Sequence, residues 1–141
     1  MPRRSLAIVV LTLALTGLAR AAGTVTATEE RAGATQKVSF TWTSSAGGAA
    51  DGATVNSYNG QIVRLVTVPS GGGTAPTDDY DLTVVDDDAV DVLMAAGANR
   101  DTANTEQVLA SSLGYVANDK LTLHVTNAGN AKAGTVHVYI R

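Results

Sequence analysis

The sequence predicts an all-β fold of short antiparallel strands, and three observations carry that prediction. Apolar residues alternate with polar ones at a period of two in several separate stretches, as half-buried strands require. Val, Thr and Tyr recur within those stretches, while Gly, Asn, Asp and Ser fill the gaps between them. No segment after the first twenty-odd residues repeats its apolar positions at the helical period.

The N-terminal segment reads differently. Met1-Pro2-Arg3-Arg4 is a short basic stretch, Leu6 to Leu18 is apolar apart from two Thr and a Gly, and Ala19-Arg20-Ala21 fits a small-x-small cleavage pattern. These are the three parts of a secretory signal peptide, expected to span residues 1–21 and to leave a single domain over 22–141. The apolar run is short for a transmembrane helix, which needs about 20 residues. An uncleaved anchor or a buried N-terminal arm is the alternative.

Elements follow in order. Thr24 to Thr28 is a first strand. In Gln36 to Thr43, "QKVSFTWT", Val38, Phe40 and Trp42 alternate with polar neighbours and predict a core face. Ser44 to Gly60 is small and Gly-rich, a loop with room for a short strand at Thr54 to Tyr58. Gln61 to Val68, "QIVRLVTV", is almost continuously apolar, which predicts a central strand covered on both sides; Pro69 stops it. After the Gly-rich connector Ser70 to Asp78, Tyr80, Leu82 and Val84 alternate. Asp86-Asp87-Asp88-Ala89 reads as a turn, and Val90 to Leu93 as the return strand of a hairpin. Met94 to Gln107 has no clean period and has room for one helical turn. Gln107 to Val116 contributes another short strand. Leu121, Leu123 and Val125 alternate with Thr122, His124 and Thr126. Val136, Val138 and Ile140 alternate with His137 and Tyr139, so these two stretches predict a C-terminal hairpin around "NAGNAKAG".

About seven or eight short strands with Gly-rich turns predict a single β-sandwich, immunoglobulin-like or jelly-roll-like, with Trp42 filling much of its core.

Composition narrows the function classes. Loss of Arg3, Arg4 and Arg20 with residues 1–21 leaves seven basic residues against thirteen acidic ones, a net charge of −6. Nucleic acid and anionic membranes both demand the opposite sign, so neither is an expected partner. The chain has no cysteine, which removes thiol catalysis and thiolate-bound zinc. Its stability must come from core packing, from self-association or protein partners, or from both.

Candidate chemistry is thin. Asp78, Asp79, Asp81, Asp86, Asp87, Asp88 and Asp91 crowd one stretch. Hard oxygen ligands suit calcium, and Asp86, Asp88 and Asp91 are the candidate ligands. The EF-hand spacing is missing, however, and an Asp-rich turn explains the cluster equally well. No other cofactor is implied. Matching the apolar faces of the C-terminal hairpin pairs Val125 with Val136, Leu123 with Val138 and Leu121 with Ile140, and sets His124 opposite His137 at cross-strand distance. Two imidazoles fall short of a zinc site, which needs three or four ligands. No Gly-x-Ser-x-Gly elbow and no phosphate loop occurs, and the whole chain holds only six aromatic residues, most of them needed for the core. The expected protein is not an enzyme.

The stretches "KVSFTWTS", "GQIVRLVTVPSGGGTAPTDDYDLTVVDDDAVDVL", "ANRDTANTEQV" and above all "KLTLHVTNAGNAKAGTVHVYIR" together resemble small, mostly uncharacterised β-rich proteins encoded among bacteriophage and prophage structural genes. The resemblance covers nearly all of residues 22–141. It implies a virion-associated, decoration-like or tail-like component. Ala89 stands where the aspartate turn is expected to carry Gly. A secreted binding module for a protein, a glycan or calcium is the alternative.

Overall fold

The computed structural model describes residues 22–141, so the signal-peptide reading of 1–21 lies outside the described residues. Nine strands follow one another: β1 (Thr24–Ala32), β2 (Thr35–Thr43), β3 (Ala50–Ala53), β4 (Tyr58–Pro69), β5 (Asp81–Val85), β6 (Glu106–Leu109), β7 (Tyr115–Asp119), β8 (Thr122–Thr126) and β9 (Ala133–Ile140). The only helical pieces among the described residues are two single 3-10 turns, Gly72–Thr74 and Ala110–Ser112. No described helix is long and apolar enough to cross a membrane.

All pairings are antiparallel. The large sheet runs β1-β2-β9-β4, and the far side of β4 is shared by β7 along Tyr58–Gln61 and β6 along Arg64–Thr67. The small sheet runs β3-β8-β5. The sheets form a curled half-barrel around one core. Val38, Phe40 and Trp42 of β2, Leu82 and Val84 of β5, Leu123 and Val125 of β8 and Val136, Val138 and Ile140 of β9 all bury in it. The faces read from alternation are therefore the faces that pack. Trp42, 1% exposed, meets the Tyr80 ring at 5.6 Å between centroids and a tilt of 47°. On the neighbouring strand only glycine fits: a Cβ on Gly134 would lie 2.8 Å from Trp42 Cζ2.

The C-terminal hairpin is not formed. β8 lies in the small sheet between β3 and β5, and β9 in the large sheet between β2 and β4. The connection between them arches from one sheet to the other through Asn127 (φ 60°), Gly129 (φ 85°) and Ala131 (φ 52°). The apolar faces of the two strands meet across the core, not side by side. His124 and His137 consequently belong to different sheets and are not cross-strand partners.

One other expectation changes. After β5 the chain returns only as an isolated bridge, Val85 with Asp91, and Val90 is 58% exposed. No return strand forms because Asp91 and the residues after it cap the edge of β5: the Val92 amide reaches Val84 O and the Leu82 amide reaches Gly97 O. β4 is central, between β9 and the β6/β7 pair, and Leu65, Val66 and Thr67 are all buried, so its middle is covered on both faces as expected; a bulge interrupts it nearer the start. Register shifts between Ile62 and Arg64, so Ile62 and Leu65 both turn inward while Arg64 stays exposed.

The free edges are protected. Residues 91–100 cover β5, the β6/β7 edge is broken by a 3-10 turn, and β1 carries Glu29, Glu30 and Arg31 on its exposed half. Charges and interruptions of this kind oppose edge-to-edge pairing.

Candidate functional site

The aspartates predicted to bind calcium serve mainly as turn caps. Asp86 Oδ1 accepts the amides of Asp88 (3.1 Å) and Val90 (2.8 Å). Asp91 uses both oxygens, Oδ1 toward the Leu93 amide (3.0 Å) and Oδ2 toward the Ala95 amide (2.9 Å). Asp88 accepts no such bond and stands on an exposed turn. Ala89 beside it has φ 61°, the left-handed region in which glycine is favoured. Asp119 approaches from β7, and its carboxyl is raised above the ordinary range by desolvation and then by Asp86, Asp87 and Asp88. Among the described residues no group of three or more His, Asp or Glu side chains is disposed to hold a metal ion.

Each histidine has a cross-strand partner on an outer surface. His124 Nδ1 lies 2.6 Å from Asp51 Oδ1 on β3, with Thr83 of β5 on its other side. The acid, imidazole and hydroxyl stand in one row, but on the solvent face of regular strands, where backbone amides are engaged in the ladder and not turned toward a substrate. His137 Nδ1 lies 2.8 Å from Ser39 Oγ on β2. Burial, then Lys37, holds the His137 ring below the usual imidazole range.

At the tip of the β1–β2 hairpin a cleft of about 320 Å³ opens between the hairpin and residues 56–58. Val25 and Ala27 pack against the core, and alternation carries the same inner face of β1 on to Glu29 and Arg31. Glu29 Oε1 and Oε2 accept the Asn56 amide at 2.9 and 3.1 Å. Gln36 lies opposite Arg31 in register. Tyr58, only 4% exposed, lies at the cleft with its hydroxyl buried near Glu29 and Thr54. Desolvation and the neighbouring Glu29 raise its pKa, so the phenol stays protonated. A second groove of about 390 Å³ shares Glu30, Arg31 and Lys37 with the first and ends on Tyr139, over whose ring the Arg64 guanidinium sits at 5.5 Å. None of these cleft residues was singled out by sequence reasoning. The available signal was the pair of opposite charges two residues apart, Glu29 and Arg31, at the end of a strand-like stretch.

The outer face of the large sheet is a second distinctive surface. Register aligns Thr24 with Thr43, Thr26 with Thr41 and Thr135, and Thr28 with Ser39 and His137. Val68 and Val66 continue the last two rows on β4. These side chains are short and carry no formal charge apart from any proton on His137. The buried interior also holds unpartnered polar atoms, Trp42 Nε1 and Thr67 Oγ1.

No protein-family model matches this chain, and no curated protein or solved structure is significantly similar to it.

Proposed function

We propose that the chain is a non-enzymatic β-sandwich that works through its surface, as a structural component of virion-associated, decoration-like or tail-like type. The observation that supports this reading best is the outer face of the large sheet. Its exposed part, Thr24, Thr26 and Thr28 of β1 with Thr41 and Thr43 of β2, gives a surface of short side chains that lose little rotamer freedom when a partner covers them. The protected edges direct association to that face and away from strand addition.

The test is sedimentation of residues 22–141 across a range of concentrations, with Thr26→Lys, Thr41→Lys and Thr135→Lys introduced together in a second sample. Association that grows with concentration and disappears in the triple variant is the expected result. A sedimentation coefficient that depends on neither concentration nor the substitutions overturns self-assembly. Mass spectrometry of purified phage particles whose genome encodes this chain tests the virion part directly. A second reading, a secreted binding module, is favoured by the polar cleft at the β1–β2 hairpin.

A further inference from the structure

We infer that the outer face of the large sheet seats the outer face of the small sheet from a second copy of this chain, in a head-to-tail contact. The inference rests on the assembly reading above and names the surface that covers the threonine face.

Register defines the large face. Lys37 of β2, Tyr139 of β9 and Arg64 of β4 form one row across it, next to the row of Ser39 and His137. Glu30 is the only acid that β1, β2, β4 and β9 place on this face, and it meets Lys37 Nζ at 3.4 Å. Arg64 is exposed, lies over the Tyr139 ring and donates to the neutral Gln107 at 3.1 Å, and no described carboxylate pairs with it. The face thus holds an uncompensated positive charge on a chain that is acidic as a whole.

The small face has the opposite sign. β3, β5 and β8 contain no Lys or Arg. Their apolar residues are buried, so alternation turns Asp51, Asp81, Thr83, Thr122, His124 and Thr126 outward. Asp81 accepts from neutral donors, Asn127 Nδ2 at 2.7 Å and the Asn99 amide at 3.0 Å, and keeps its charge. Asp51 meets His124, which is charged only when protonated. Asp51 and Asp81 flank β8 as Lys37 and Arg64 flank β9, so about 10 Å separates the members of each pair across the strands. Asp81 sits one step further along its strand, within reach of the long Lys and Arg side chains.

Like faces brought together would set these charges against one another, whereas unlike faces pair them. The apolar sides of the two sheets meet across one core, so the outer faces point away from each other. A contact between unlike faces is therefore heterologous: it does not close on two copies but adds further ones in a row or a ring. Three short strands make a contact smaller than the about 800 Å² per partner of stable pairs, so each step is weak and sensitive to salt.

The experiment is light scattering of residues 22–141 up to about 1 mM, at low and high salt, with two charge-reversed variants. One carries Lys37→Glu and Arg64→Glu. The other carries Asp51→Lys and Thr83→Lys, which leaves the Asp81 hydrogen bonds in place. The parent should grow past a dimer, less so at high salt. Each variant alone should associate at least about tenfold more weakly, and their equimolar mixture should regain growth, because each reversed face then meets its reversed complement. Melting temperature checks folding, and Arg64→Glu with Asp51→Lys as single changes carry the same comparison if a double variant does not fold. Growth that ends at a dimer, indifference to the small-face changes, or a mixture no better than its components overturns this contact and leaves the assembly reading standing. A parent that stays monomeric throughout overturns both.

Discussion

Gly134→Ala isolates the packing of the largest core side chain. The added methyl would lie 2.8 Å from Trp42 Cζ2, 3.0 Å from Cε2 and 3.0 Å from the Val68 carbonyl oxygen. The indole cannot retreat, because it is 1% exposed and its other side meets Tyr80. The Val68 carbonyl belongs to β4, held in the sheet beside β9. Something must therefore shift within a close-packed interior, and one inserted methyl of this kind costs about 1–3 kcal/mol. Urea denaturation followed by far-UV circular dichroism gives that difference directly and also reads variants that lack Trp42, the single tryptophan. In Trp42→Phe the ring is smaller and the clash eases, so Gly134→Ala should cost less there. The two changes are in contact, and their double-mutant cycle should show coupling of about 0.5 kcal/mol or more. Unchanged stability in Gly134→Ala, or strict additivity in the cycle, would refute the placement of Gly134 against the indole face.

Trp42→Ala should lose about 3–5 kcal/mol, and native emission close to that of free tryptophan would contradict the burial behind that figure. Deleting Val138 to Arg141 removes the last three residues of a strand flanked on both sides, so the domain should unfold or aggregate; a soluble, equally stable product would mean the end of β9 is dispensable. Ala89→Gly should stabilise by about 0.5–1 kcal/mol, because relief of a left-handed alanine exceeds the entropy glycine adds to the unfolded chain; a melting temperature below that of the parent would count against it. His137 carries a lowered pKa, so the unfolded chain binds the proton more readily. Its contribution to stability is complete above about pH 6.5 and declines as pH falls below that value, and His137→Gln should flatten this part of the pH profile.

How much of this was legible follows from what alternation encodes. A period of two states which residues face a core, and Trp42, Tyr80, Leu123 and Val138 all do. It does not state which strand lies alongside. A hairpin and an arch between sheets demand the same pattern from Leu121–Val125 and Val136–Ile140, so turn length and partner strands had to decide between them. The continuous apolar run of β4 did announce a strand buried on both faces at Leu65 to Thr67, but the bulge that changes parity between Ile62 and Leu65 leaves no mark in that run. The cleft depends on Asn56 reaching Glu29 across 27 positions of sequence, a contact no local pattern announces. The second half of β1 is exposed on both faces, so its charges showed no period and the strand was expected to stop at Thr28.

The position of β9 also dictates an order of events. Ser39 and His137 face each other across the β2–β9 ladder although 98 positions separate them in the chain. The hairpin of β1 and β2 forms locally, whereas β4 and β2 share no hydrogen bonds and meet only through β9. On a ribosome, more than ninety residues must emerge after β2 before its second partner exists. Until then β2 and β4 each present an unpaired edge with a hydrophobic face. Loop closure over that distance precedes any gain from the contacts it allows, so folding should be slow for a domain of this size. The vulnerable species is thus the unfinished chain, and any chaperone need would fall in the interval before β9 inserts.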